Sequence, residues 1–225
     1  MHPNPTPKSS HRGFTLVELL CIIAVLAVLA TLILPALSKV RTNAENSKCL
    51  SNLRNLGTAV HLHWNDDSRR TNPSMTTWHN DLLPYLGYPE GVTTYSELTD
   101  LSPGVATNMT LWCPSVDFED ADPIVQRDRN CYGINMSYFA SAHNTNPDKR
   151  LTAFDVADHG SEIIAFLDAN NRNVFHSTPS RIGTGRHGDH VNVVFVDGHA
   201  ESVPYNGTSE TLDPDWRVLF DGPDR

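Results

Sequence analysis

The chain has 225 residues, enough for one ordinary domain with an attached segment and too few for a large multidomain enzyme. Its formal net charge of −9 sets it against polyanions, so nucleic acid is not an expected partner. Of its cysteines, Cys21 lies in an apolar run, which leaves Cys49, Cys113 and Cys131 for an outside domain and allows at most one intramolecular disulfide there.

Residues 1–13, MHPNPTPKSSHRG, carry two firm positive charges, Lys8 and Arg12, and no acid. That composition reads as a cytoplasmic n-region ahead of an exported segment. From Phe14 to Leu37 the sequence FTLVELLCIIAVLAVLATLILPAL holds a single charge, Glu18. At 1.5 Å per residue the run is long enough to cross a hydrocarbon core of roughly 30 Å, and it predicts a membrane helix over residues 14–37. An ordinary secretory signal places its cut beyond the apolar run, whereas here the glycine stands in front of it.

The string Gly13-Phe14-Thr15-Leu16-Val17-Glu18 resembles the processing site of type IV prepilins. The resemblance implies that a membrane aspartic protease, the prepilin peptidase, cuts after Gly13 and methylates the new amine of Phe14. It also implies that Glu18 meets the Phe14 amine of a neighbouring subunit in an assembled filament. The physical chemistry agrees, because a carboxylate in hydrocarbon costs several kcal/mol unless it finds a partner. The alternative is a glutamate that snorkels to the interface from the first turn of a plain anchor.

Pro35 falls where that family often kinks its helix, and an interior proline bends a helix that packing supports. Beyond it Leu37, Val40, Ala44, Ser47, Leu50, Leu53, Leu56 and Val60 recur at spacings of three and four, which predicts an amphipathic half over residues 38–65. One helix from Phe14 to about Trp64, roughly 75 Å long, is expected, its second half packing under a head. Lys39, Arg41 and Lys48 place positive charge after the span as well, so orientation rests on the motif and not on charge asymmetry.

Residues 66–225 then read as an extracytoplasmic head rich in Pro, Thr, Ser, Asn and Gly. Residues 78–88 predict a short helix ending near Gly87, residues 117–129 an acidic surface loop, and residues 132–139 and 161–167 strands, the second internal. In VNVVFVDGHAESVP, residues 191–204, two runs flank Asp197-Gly198 and predict a β-hairpin with a type I′ turn, with Val194, Val196 and Val203 on or near the core side.

His187 stands ten residues before Asp197, giving H-x9-D-G, and this resembles the C-terminal signature of a large bacterial prepilin-type family with no settled biochemical role. CLSNLRNLGTAVHLHWNDD at 49–67, LWCPS at 111–115, CYGIN at 131–135 and FVDGHAE at 195–201 fit the same family, with Cys131 standing where a small residue is expected. The fold implied is α+β and pilin-like, a long N-terminal helix packed on a small antiparallel sheet. The function implied is that of a structural subunit of a type IV pilus or a type II secretion pseudopilus. Its partners would be the prepilin peptidase, other pilin or pseudopilin subunits and the membrane. The expected location is a single-pass cytoplasmic membrane protein with an exported head, passing later into an extracytoplasmic filament.

His187, Asp189, His190, Asp197 and His199 crowd around the predicted hairpin and form a candidate metal set, imidazole favouring zinc and carboxylate calcium. Against that, Asp197 can serve the turn alone and the histidines can cap strand ends. Asp168, Asn170, Asn171, Asp189 and Asp197 offer oxygen ligands for calcium by analogy with secreted pseudopilins, although no EF-hand-like loop is present. No resident cofactor is otherwise expected. A disulfide between Cys113 and Cys131 is expected, with Cys49 to Cys113 as the alternative. Ser, His and Asp occur without a nucleophile-elbow motif, so no enzyme is expected. Trp64, Trp78, Trp112 and Trp216 leave one rival, a membrane-tethered module that binds glycan or metal, which would expose two or more of these rings on one surface.

Overall fold

The computed structural model describes residues 14–66, 72–74, 77–88, 92, 97, 110–116, 131–137, 139, 158–174, 177–208, 210–213 and 215–221. The expected leader, residues 1–13, and the expected acidic loop 117–129 lie outside the described residues. The chain divides into two units, residues 1–41 and 42–225.

Helix α1 runs Leu16–Asp66 and continues through Pro35, contributing to both units. In the first unit its apolar side chains are open: Phe14 is 74% exposed, Leu16 80% and Leu32 69%. Among the described residues α1 is the one helix long and apolar enough to cross a membrane, and none of its most apolar window is buried. In the second unit the same helix acquires a buried face of Cys49, Asn52, Leu53, Leu56, Ala59, Val60 and Trp64. Leu53, Leu56 and Val60 fall on the predicted stripe, but Leu37 and Val40 are exposed and burial begins only at Cys49. Residues 38–48 are mostly polar, with Val40 and Ala44 alone keeping the helical spacing, so periodicity by itself misplaces the start of the packed face.

The head is built on a five-stranded sheet in the order β3-β1-β2-β4-β5, with β1 Tyr132–Asn135, β2 Ile164–Asp168, β3 Asn173–Val174, β4 His190–Phe195 and β5 Ala200–Pro204. Pairs β1–β2, β2–β4 and β4–β5 are antiparallel, and the short edge pair β1–β3 is parallel. One layer of core joins the second half of α1 to Trp78, Trp112, Ile134, Phe139, Phe166 and Val194. A second layer on Ile164, Leu167, Val191, Val193 and Phe195 is closed by Tyr205 and helix α3, Trp216–Asp221. The central strand β2 is therefore buried throughout, as its unbroken apolar run requires. Its register to β4 shifts between Ile164 and Phe166, so Ala165 and Phe166 fall in the same layer and strict alternation breaks.

Helix α2, Trp78–Leu82, passes into a 3-10 turn, Leu83–Tyr85, and stops at Gly87, whose φ of 69° suits glycine. The strand expected over 132–139 ends at Asn135 and is followed by helical residues, since Asn135 turns its amide inward to the carbonyls of Ile164 and Phe220 and its Oδ1 accepts the Ser137 N–H.

The β4–β5 hairpin forms, with a different turn from the one expected. Gly198 N–H donates to Phe195 C=O at 2.9 Å and Phe195 N–H to His199 C=O at 2.8 Å, so the loop holds Val196, Asp197 and Gly198. This is a three-residue loop closed by a G1 bulge, with Gly198 at φ 93° supplying the left-handed position. Val196 and Asp197 donate their N–H groups to the carbonyls of Ile163 and Gly160, an anchorage on the segment before β2 that a two-residue turn would not reach. Val194 and Val196 join the helix-side core, and the half-buried Val203 packs on the other layer.

Candidate functional site

Two places in the chain hold chemistry that the fold alone does not require. The first is the start of α1. Thr15 precedes the first helical residue, and Glu18 is the third residue of the helix. Thr15 N–H donates to Glu18 Oε2 at 2.9 Å, and Glu18 N–H donates to Thr15 Oγ1 at 3.3 Å. The Thr15 hydroxyl also donates to Glu18 Oε2 at 2.7 Å. Thr-x-x-Glu is thus a reciprocal capping box that satisfies two of the helix's orphan donors. Both bonds to the carboxylate use Oε2, and Oε1 makes no hydrogen bond among the described residues. The arrangement fixes a carboxylate on the first turn, close to Phe14, with one oxygen in reserve. The capping signature, Thr-x-x-Glu, stands in the sequence at residues 15–18.

The second place lies inside the head, where the expected cysteine pairing is corrected. The disulfide joins Cys49 of α1 to Cys113, with Cα atoms 5.2 Å apart, and Cys131 is a buried free thiol, so the expected Cys113–Cys131 bond is not formed. The helix is the reason: Cys49 lies on its buried face, and Asn52, one turn on, donates to Trp112 C=O at 2.8 Å, which brings Cys113 against the helix. Burial pushes the Cys131 thiol up to about 11, an effect that the nearby Arg186 charge and a hydrogen bond from the Cys113 backbone only partly offset. Asn52 Nδ2 also reaches the Tyr132 hydroxyl at 3.2 Å, a group that burial holds well above its ordinary pKa and hence neutral.

His187 belongs to this buried group. Its Nε2 lies 3.6 Å from Cys113 Sγ and 3.2 Å from Asp168 Oδ2. Asp168 is fully buried, and its Oδ2 accepts the Asn192 N–H at 2.9 Å. Arg186, next in the chain, donates to the carbonyls of Cys131 and Ala169 and to Asn170 Oδ1. The histidine of H-x9-D-G is therefore an interior residue.

The rest of the expected metal set is dispersed into pairs on the surface. Asp189 Oδ1 is 2.6 Å from His190 Nδ1, a hydrogen bond that lowers the Asp189 carboxyl from its ordinary value. Asp197 Oδ1 is 2.6 Å from His199 Nδ1 and accepts the His199 N–H, while the His199 ring stacks on Phe195. His187, Asp189, His190, Asp197 and His199 do not converge: among the described residues the one group of three or more metal-type donors is Cys49, Cys113 and His187. The calcium oxygens fare no better, since Asp168 is interior and Asn170 Oδ1 accepts from Arg186 at 2.7 Å. Cys49 and Cys113 stand outside the expected metal set, since nothing in their neighbouring residues places them opposite His187.

The four tryptophans are buried, Trp64 at 8% exposure and Trp78, Trp112 and Trp216 at 0–2%. Trp64, Trp78 and Trp216 donate their indole N–H groups to Asn72, Arg172 C=O and Pro204 C=O. None is placed to stack on a sugar, so the glycan-binding alternative is not favoured.

Residues 8–34 match the family model described as the prokaryotic N-terminal methylation motif. The chain is also similar to type II secretion system core protein G of Klebsiella michiganensis, 34% identical over 62 residues. That match covers 28% of this chain and 44% of the relative, so the chain spans less than half of the curated relative's length. No solved structure matches the chain. The N-terminus is thus of the prepilin type, and the match does not extend to the H-x9-D-G segment.

Proposed function

We propose that this chain is a structural subunit of a type IV pilus or a type II secretion pseudopilus, cut after Gly13, methylated on Phe14 and assembled through α1. One observation carries the reading: directly behind the cleavage glycine, an apolar and uncovered helix begins with a single carboxylate held in a capping box. Such a helix needs a cover, first lipid and then the helices of neighbouring subunits. Because lipid tails are as apolar as the side chains, packing and polar pairing must set the register between helices. The free Oε1 of Glu18 is the acceptor that the Phe14 amine of a neighbour would use. The methylation motif and the similarity to a secretion core protein support the same reading.

The finer parts of the reading belong to the proposal too: a single pass through the cytoplasmic membrane, an exported head, and the prepilin peptidase as processing enzyme. N-terminal mass spectrometry of membrane-extracted protein tests it. The expected species begins with methylated Phe14, and an intact Met1 or a cut beyond Ala30 contradicts the proposal.

A further inference from the structure

The sulfurs of Cys49 and Cys113 and a ring nitrogen of His187 all lie within 4.8 Å of one another. Both cysteines are fully buried, and the side chains of His187 and Asp168 are 1% and 0% exposed. Burying an imidazole and a carboxylate is costly unless their polar atoms are satisfied. Yet His187 Nδ1 and Asp168 Oδ1 have no hydrogen-bond partner among the described residues. The two sulfurs and the imidazole thus form one interior group of metal-type donors, with the Asp168 carboxylate against the imidazole.

We propose that the reduced protein binds one zinc-like divalent cation through Cys49, Cys113 and His187, with the fourth position left to solvent, and that the Cys49–Cys113 disulfide and the metal exclude one another. The inference is independent of the filament reading. Tetrahedral zinc, with bonds of about 2.3 Å to sulfur and about 2.0–2.1 Å to nitrogen, sets N and S ligands about 3.5 Å apart. The structure already has His187 Nε2 at 3.6 Å from Cys113 Sγ. Once reduced, the sulfurs separate to the spacing of about 3.8 Å that two thiolates need on such an ion. Two thiolates and an imidazole suit zinc, whereas calcium takes six to eight oxygens. Formal charge also closes, because two thiolates balance a divalent ion.

The steps balance with a dithiol as reductant. The dithiol gives two electrons and two protons to the Cys49–Cys113 bond and leaves as its own disulfide, and the cation then displaces the two thiol protons to solvent. With Nε2 on the metal, the imidazole keeps its proton on Nδ1.

The test uses the full chain in detergent micelles, reduced anaerobically with a dithiol, freed of it by gel filtration and titrated with cobalt(II). The expected result is one cobalt per chain, a sulfur-to-cobalt charge-transfer band and d–d bands of tetrahedral strength, all removed by zinc. The untreated disulfide form should show no such band. His187→Ala should weaken binding about 10-fold or more, and Cys131→Ser should bind as wild type does. Absence of the band from reduced wild type overturns the proposal, and so does equal binding by the oxidised form. Undiminished binding by His187→Ala, or loss of the band in Cys131→Ser, overturns the ligand assignment. The comparison of oxidised with reduced wild type needs no variant to fold.

Discussion

Gly57 of α1 lies so close to Val194 of β4 that a Cβ built on the glycine would stand 2.8 Å from Val194 Cγ2. The same Cβ would stand 3.4 Å from the Cα of Gly198 in the hairpin turn. A glycine inside a helix costs about 1 kcal/mol against alanine, so an open position would be stabilised by Gly57→Ala. Here the fully buried Val194 cannot move aside cheaply, and overpacking costs about 1–3 kcal/mol. Gly57→Ala is predicted to destabilise the head, and Gly57→Val to do so more strongly. Urea unfolding of the full chain in detergent measures both, and a stabilised Gly57→Ala would mean that α1 does not lie against β4 at this point.

Gly133 of β1 is a more severe case. A Cβ there would meet the Asn171 carbonyl oxygen at 2.5 Å, Val174 Cγ2 at 2.7 Å and the Ala169 Cβ at 2.8 Å. The first of these is backbone and has no rotamer to change. Gly133→Ala should therefore cost more than Gly57→Ala, on the order of 3 kcal/mol, measured by the same unfolding curve.

The Cys49–Cys113 bond closes a separation of 64 residues and ties α1 to the segment before β1. On the chain-entropy account such a loop contributes about 4 kcal/mol. Cys49→Ser should lower stability by about that amount under oxidising conditions and by little under reducing, metal-free ones. Non-reducing peptide mapping of wild type should recover the Cys49 and Cys113 peptides together and Cys131 as a free thiol. Recovery of a Cys113–Cys131 peptide would contradict the structure.

Cys131 supplies a pH prediction with a definite sign. Burial raises its thiol from 9.0 to about 11, so the folded chain holds the proton more tightly than the unfolded one. The resulting stability is complete below about pH 9 and is lost as pH rises toward about 11. In a Cys21→Ser background, iodoacetamide should leave Cys131 unmodified at pH 8 in the folded protein and alkylate it readily in urea. Rapid alkylation at pH 8 without urea would show that the thiol is not interior.

What the sequence revealed follows from which interactions are local. α1, the helix ending at Gly87, strand β2 and the β4–β5 hairpin all announce themselves in neighbouring residues: an apolar run, a stop glycine, a bounded apolar segment and Asp197-Gly198. The turn type escaped because the anchorage of Val196 and Asp197 on Ile163 and Gly160 is not local. For a like reason sequence distance favours Cys113 with Cys131 and leaves Cys49 with Cys113, the bond that the buried face of α1 brings about, as the alternative. The group of Cys49, Cys113 and His187 draws on three separate segments, and although each residue stands in a recognisable string, no string shows that the other two lie opposite it. At residues 15–18 the interaction is local again, the Thr-x-x-Glu signature forming the capping box of Thr15 with Glu18.

That capping box makes the charge of Glu18 separable from its local hydrogen bonds. Glu18→Gln keeps an oxygen that can accept from Thr15 N–H and keeps the length of the side chain, but it removes the negative charge that a neighbour's Phe14 ammonium would meet. A buried ammonium left unpaired is costlier than losing both charges. The most direct measurement compares membrane-bound monomer with sheared filament for wild type and Glu18→Gln, with cleavage after Gly13 checked by mass. The account predicts normal processing and insertion with filament yield lost or sharply reduced. A wild-type yield from Glu18→Gln would contradict it, and would mean that Glu18 serves only to cap the first turn of α1.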